Sequence, residues 1–273
     1  MSETNVDYGA IKTKQKGAWA TGNYALIGAT LNIVGESLCE ALDMRAGRRV
    51  LDVCAGNGNA TLAAAHRWTD VTSTDYVPSL LEAGKARANA DGITTIKYQE
   101  ADVEALPFKD GEFDYVLSTY GVQFAPNQEK SAQEMLRVCK PGGKIGMANW
   151  TPEGFIGQLF KTIGKYVPPP AGVKSPARWG TKGGLDELFG AGAASINATS
   201  KNFIFRYTSV GHWFEVFKTY YGPLNKTFGA LDAEKGAVLQ QELTVIMEGL
   251  NRSGDGGLVM PGEYLEVVIE KKK

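Results

Sequence analysis

Asp52, Asp75 and Asp102 are the residues of this sequence whose type and placing best suit chemistry. Asp75 closes the run Val71-Thr72-Ser73-Thr74-Asp75, and Asp102 follows Tyr98-Gln99-Glu100-Ala101. Each stands at the end of a stretch that reads as a strand. A carboxylate there offers two oxygens in a fork, which matches the paired hydroxyls of a ribose. Asp52 lies earlier, inside an apolar run, just ahead of Cys54-Ala55-Gly56-Asn57-Gly58. The two glycines let the backbone turn tightly and let a ligand approach it closely. An acid, a glycine turn and a further acid at the next strand end describe recognition of a nucleoside.

The elements that must hold these groups follow from the pattern. Arg49 to Val53 is short and carries β-branched residues, so it reads as a buried strand. Asn59 to Ala65 has high helix propensity. Strand, glycine turn and helix together present free backbone N–H groups to a ligand. Tyr76-Val77-Pro78-Ser79 opens a helical segment running to about Ala90, and Phe113 to Ser118 reads as strand four. Arg137-Val138-Cys139-Lys140-Pro141-Gly142-Gly143-Lys144 reads as a helix end and the turn before strand five, Gly143 to Asn149.

A dinucleotide fingerprint requires Gly-x-Gly-x-x-Gly. Here the run is Gly56-Asn57-Gly58-Asn59-Ala60-Thr61, without the third glycine. An acid followed by a small-residue turn ending in Gly-x-Gly resembles the first motif of class I S-adenosylmethionine methyltransferases. Cys54 and Ala55 stand where that family has a glycine and a variable residue. The resemblance runs well over residues 19–150, and its type is that of the ubiquinone/menaquinone-biosynthesis-like, or type 11, group. It implies S-adenosylmethionine as cofactor, with S-adenosylhomocysteine as product. By the family's pattern, Asp52, Ala55, Gly56, Asn57 and Gly58 form the turn. Asp75 with Tyr76 takes the ribose, Asp102 with Val103 reads the adenine, and Thr119 closes strand four beside the cofactor. The segment Trp19-Ala20-Thr21-Gly22-Asn23-Tyr24 is similar to one that folds over the cofactor, which would make Trp19 and Tyr24 site residues. Its other reading is an apolar staple for the following helix.

Composition limits the partners. The 273 residues carry a net charge of −1, with no basic stripe, which argues against a nucleic-acid reader. Ser118-Thr119-Tyr120-Gly121 also lacks the Asp/Asn-Pro-Pro-Tyr/Phe found in enzymes that methylate base amines. Cys39, Cys54 and Cys139 are scattered, so a disulfide framework or zinc site is not expected. No other cluster of carboxylates and histidines suggests a metal. No stretch suggests a signal peptide or membrane span, so a cytoplasmic protein is expected. Of the two histidines, His66 lies on the first core helix, and His212 is the weak candidate for a general base.

Residues 1–18 are polar and expected to be partly mobile. Ala25 to Leu42 reads as one helix with Leu26, Ile27, Leu31, Val34, Leu38 and Leu42 on one face. Residues 151–190 are expected either to roof an acceptor pocket or to pack on the sheet, with Thr181 capping a short helix ending at Gly190. Ile196 to Tyr207 reads as strand six. Val210, Trp213, Phe214, Phe217 and Tyr221 form an aromatic stripe that suits core or a pocket wall, and a helix over about Asp232 to Leu250 follows. Glu263 to Ile269 is the final strand. The expectation is an α/β, Rossmann-like, doubly wound seven-stranded mostly parallel sheet, with helices on both faces and a helical lid insertion. It divides into a cap (1–42), a cofactor-binding core (43–150) and a C-terminal part (151–273). The expected activity is methyl transfer from S-adenosylmethionine to a small-molecule acceptor. An NAD-dependent oxidoreductase and a catalytically silent cofactor-binding protein are the alternatives.

Overall fold

A computed structural model describes residues 6–273 of the chain. The β-branched run Arg49–Val53 is β1, and it lies at the centre of a seven-stranded sheet. With β2 (Asp70–Asp75), β3 (Lys97–Glu100), β4 (Phe113–Thr119), β5 (Cys139–Trp150), β6 (Ala193–Tyr207) and β7 (Leu258–Lys271), the order is β3-β2-β1-β4-β5-β7-β6. The pairs β1–β2, β1–β4, β2–β3 and β4–β5 are parallel. β7 runs antiparallel to both β5 and β6. The antiparallel strand between β5 and β6 departs from the all-parallel 3-2-1-4-5-6 order of dinucleotide folds. The order reverses between β1 and β4, and open α/β sheets bind ligands beyond the strand ends at such a switch point.

Alternation along the central strands supplies a face for each layer of helices. Val50, Tyr115 and Leu117 pack under α3 (Asn32–Ala41) and α4 (Asn59–Ala65). Leu51, Val53 and Val116 pack under α6 (Gln128–Val138) and α8 (Lys182–Phe189). A third cluster, around Trp150, Tyr264 and Phe205, joins the β5–β7–β6 end of the sheet to α7 (Phe155–Tyr166) and the helices inserted between β6 and β7. These are α9 (Val210–Tyr220), α10 (Gly222–Ala230) and α11 (Ala233–Leu250); α5 (Pro78–Ala90) lies between β2 and β3.

Several expectations need correction. The polar N-terminal stretch contains α1 (Tyr8–Trp19), a helix without a buried residue. Residues 1–5 of that expectation lie outside the described part. The single helix over Ala25–Leu42 is instead α2 (Tyr24–Gly28), a 3-10 turn at Ala29–Leu31, and α3. Thr30 Oγ1 donates to the Ile27 carbonyl at 2.7 Å, competing with the helical ladder there. The break leaves Leu26 half exposed, unlike its five expected neighbours. Pro141-Gly142-Gly143 does not end an element. It forms an irregularity within β5, where the pairing jumps from Phe113–Cys139 to Tyr115–Lys144. Gly222 does not end α9, which stops at Tyr220; it is already the first residue of α10, with Pro223 in the first turn that proline suits. In residues 151–190, α8 takes the sheet-packing alternative, and Trp179 beside it is fully buried with Phe189. Thr181 does cap α8, accepting from Gly184 N–H.

Candidate functional site

The turn after β1 is held in shape from three sides. Cys54, Gly56 and Gly58 all adopt left-handed conformations, with φ of 51°, 57° and 84°. Glycine takes these angles freely, whereas Cys54 carries strain of about 1–2 kcal/mol. Asp75, at the end of β2, accepts Gly56 N–H at 2.9 Å on one oxygen and Val77 N–H at 2.8 Å on the other. Arg87 of α5 donates to the Asn57 carbonyl at 2.6 Å and to Asn59 Oδ1 at 2.9 Å. From the N-terminal side, α2 and α3 dock through glycines. A Cβ on Gly28 would lie 2.3 Å from Asn57 Oδ1, and one on Gly35 would lie 2.7 Å from the Asn59 carbonyl.

Above this turn lies a cavity enclosing about 770 Å³, part of it open to solvent. Ten expected residues converge on it: Trp19, Tyr24, Ala55, Gly56, Asn57, Asp75, Tyr76, Asp102, Val103 and Thr119. They come from the N-terminal segment and from the carboxyl ends of β1, β2, β3 and β4. Asp52 and Gly58 do not reach it. Asp52 is fully buried beneath the turn, where Oδ2 accepts from Thr61 Oγ1 at 2.6 Å, and Thr61 also meets Ser73 at 2.8 Å. Its role is to brace β1 against α4, and burial pushes its carboxyl up to about 7. Gly58 is the N-cap of α4, packed 3.6 Å from Gly84 by its absent Cβ. His212 is also remote. Its Nδ1 accepts from Thr208 N–H at 3.3 Å, and its ring meets Tyr207 on the start of α9. His66 faces Glu36 and Asp91 at the surface.

Burial raises Asp75 to about 6 against the lowering effect of its backbone N–H partners. The carboxylate therefore remains largely ionised at neutral pH, and each oxygen keeps a lone pair beyond its backbone bond. Gly56 leaves room beside it, since a Cβ there would sit 3.7 Å from the Tyr24 ring, in the gap between turn and ring. A nucleoside fits this arrangement: ribose hydroxyls at Asp75, a flat base near Asp102 and Val103, and backbone approach at Gly56. Cys54 is no nucleophile, because burial holds its thiol well above the ordinary range. Among the described residues no group of three or more metal-ligating side chains occurs. No helix there is long and apolar enough to cross a membrane.

The structure adds residues that the sequence reading did not place. Lys12 of α1 reaches Asp102 at 2.6 Å and Glu104 at 2.9 Å, while Lys16 pairs with Glu100. Trp19 then meets Tyr24, Phe124 and Tyr221 with ring centroids 5.3–5.7 Å apart. The roof of the cavity is thus α1 and its terminal tryptophan. Lysines spaced i, i+4 on a polar helix were the available signal, but nothing local tells which acids they meet. Beyond Trp19 and Tyr24 lies a second cavity of about 380 Å³, part of it open to solvent, bounded also by Tyr120, Phe124, Trp150, Phe217 and Tyr221. The aromatic stripe of α9 therefore divides: Trp213 and Phe214 are core, and Phe217 and Tyr221 line this space.

Comparison with known proteins agrees with this geometry. Residues 51–147 match the family described as methyltransferase domain. An uncharacterized protein of Mycobacterium tuberculosis is 39% identical over 264 residues, covering 95% of this chain and 94% of its own. The ubiquinone/menaquinone biosynthesis C-methyltransferase UbiE of Shewanella sediminis is 29% identical over 161 residues, covering 53% of this chain and 64% of its own. Among solved structures, the YcgJ protein of Bacillus subtilis superposes with a TM-score of 0.61 at 17% identity, covering 90% of this chain and 99% of that one.

Proposed function

This chain belongs to the type 11 group of class I S-adenosylmethionine-dependent methyltransferases, and from that premise we propose that it methylates a small, largely apolar acceptor. S-adenosylmethionine is its cofactor, and when bound it supplies a methyl group carried on a positively charged sulfur. The observation that carries the proposal is the meeting of the two cavities at Trp19, Tyr24, Tyr120 and Phe124. One presents the carboxylates of Asp75 and Asp102 and suits a nucleoside; the other is aromatic and, among the described residues, is lined by no charged side chain.

In this reading Asp75 accepts the ribose hydroxyls, and Asp102 with the Val103 backbone takes the adenine edge. Gly56 allows the cofactor's backbone-facing side to approach, and Trp19 with Tyr24 covers it. The chain's contribution to rate is alignment and exclusion of water at the seam, an effect worth ~7–11 kcal/mol in well-oriented systems. Among the described residues no histidine or carboxylate lines the aromatic cavity to serve as base. The acceptor therefore brings a group that is already nucleophilic or readily ionised.

Calorimetric titration of the protein with S-adenosylmethionine, S-adenosylhomocysteine and NAD tests the cofactor assignment. The first two should bind at micromolar Kd, about −8 kcal/mol, and NAD should not bind. Binding of NAD alone would overturn the proposal.

A further inference from the structure

The sheet has two outer edges, and the sequence treats them differently. β3 is four residues long, Lys97-Tyr98-Gln99-Glu100, with a charge at each end. Lys97 pairs with Asp70, and Glu100 with Lys16 of α1, so charges guard that edge. β6 has fifteen residues, Ala193–Tyr207, and within the sheet it pairs with β7 alone. From Ser195 onward that pairing runs without a bulge, and the strand contains neither proline nor glycine. Its only charge before Arg206 is Lys201, whose ammonium is engaged by Glu266 at 2.7 Å and Ser37 at 2.8 Å. Ala194, Ser195, Asn197, Thr199, Ser200 and Asn202 are exposed. In an antiparallel pair, alternate residues turn their N–H and C=O groups away from the partner strand. About half of the β6 backbone groups therefore face outward, and a long unguarded edge of this kind is a template for another strand.

We propose that β6 is the interface between two copies of this chain, paired antiparallel about a two-fold axis so that their sheets become one. The inference is independent of the methyltransferase reading. An axis normal to the sheet sets β6 against itself, the same edge serving both copies, so assembly closes at two. The guarded β3 edges offer nothing for a third copy to extend. Ser195 to Phe203, nine residues of continuous pairing with β7, would supply about nine interchain backbone hydrogen bonds. A stable interface carries roughly ten. Lys201 is neutralised within its own copy, so no bare like charges meet across the axis. An unrelated peptide is the poorer occupant, because strand addition takes its selectivity from pockets for alternate side chains. The recess beside β6 is instead floored mainly by Ser195, Asn197, Thr199, Glu266 and Glu270. β6 runs parallel to β4 and β5, since β7 is antiparallel to both of its neighbours. The axis therefore sends the cavities above the β1 turn to opposite ends of the joined sheet, clear of the interface.

Sedimentation equilibrium and hydrogen exchange by mass spectrometry test this on the full chain. The native protein at micromolar concentration should sediment at twice its 29.4 kDa mass. Nearly all β6 amides from Ser195 to Phe203 should exchange slowly. The double variant Asn197→Lys, Thr199→Lys places charge at exposed edge positions, beside Glu266 and Glu270. It should sediment as a monomer, with the outward half of those amides exchanging about a hundredfold faster. A thermal melt close to native shows that the variant is folded. If the variant unfolds, the mass and exchange pattern of the native protein still decide. A monomeric native protein, a native dimer whose outward β6 amides exchange freely, assembly beyond two copies, or a folded variant that stays dimeric would each overturn the assignment.

Discussion

Replacing Asp75 by asparagine separates what that carboxylate does for the turn from what it does for the ligand. Its two oxygens accept different backbone N–H groups, from Gly56 and Val77. An amide of the same shape has one acceptor oxygen, so one of those N–H groups loses its partner. An unsatisfied buried donor costs about 1–3 kcal/mol. Removing a buried charge offsets part of this, since burial already disfavours the ionised form. Stability should therefore fall modestly. Ligand binding loses more. Hydrogen bonds to a charged group contribute ~1.5–3 kcal/mol and neutral ones ~0.5–1.5. Two weakened ribose bonds then amount to about 2–3 kcal/mol, or roughly 30- to 150-fold in Kd. Calorimetric titration with S-adenosylhomocysteine at pH 8, beside a thermal melt, measures both. A lowered melting temperature with Kd within threefold of native would refute the ribose assignment and leave Asp75 as a clamp on the turn.

Two other predictions concern the same cavity, and a third the buried thiols. Because Asp75 titrates near pH 6, the charged form needed by the ribose is present above that value and lost below it. The affinity for S-adenosylhomocysteine should be flat from pH 7 to 8 and fall about tenfold for each pH unit below 6; a flat profile down to pH 5 would contradict this. Lys12→Met removes both ion pairs that tie α1 over Asp102 and Glu104. Dissociation of S-adenosylhomocysteine in stopped flow should quicken about fivefold, equivalent to ~1 kcal/mol, and an unchanged rate would mean that these pairs do not hold the roof over the ligand. Burial pushes the Cys39 and Cys139 thiols up to about 12 and holds the Cys54 thiol well above its ordinary range. Native protein at pH 8 should thus resist iodoacetamide by mass spectrometry, and unfolded protein should take up three adducts.

The central strands and the glycine turn were legible because their signals are local. Arg49–Val53 and Asn59–Ala65 have the bounds read from the sequence, and ten of the expected cofactor residues meet at one cavity. The failures came where a side chain's partner is distant. Asp52 and Asp75 are alike in sequence, each an acid near a turn. Strand alternation sends Asp52 down toward Thr61, whereas Asp75, last in its strand, faces the turn. His212 attracted attention as a titratable group in an aromatic stretch, yet Ser209 caps the helix there and aims the imidazole at the Thr208 backbone. Helix α1 was missed because a polar sequence with no buried face has no periodic signal, and its fixing points are acids nearly a hundred residues away in the chain.

How α1 is fastened bears on how the site fills. The helix fully buries no residue, so apolar packing holds it only through the partly buried Trp19. It is held by Lys12 and Lys16 to three carboxylates, by Gln15 Nε2 donating to the Phe124 carbonyl at 3.1 Å, and by the ring contacts of Trp19. Partly exposed ion pairs contribute about 0–1 kcal/mol each, so the closure is a matter of a few kcal/mol. A roof fastened so weakly opens without exposing core, which a cavity enclosing a nucleoside requires for loading and release. Its two attachments also differ in kind. Added salt weakens the partly exposed lysine pairs but leaves the ring contacts of Trp19 with Tyr24 and Tyr221 in place. At the Trp19 end, Gly22 pairs with Tyr221 and its own backbone sits too close to Tyr220 for any side chain. The lysine end of α1 is therefore the end that salt loosens, while the ring contacts of Trp19 stay made.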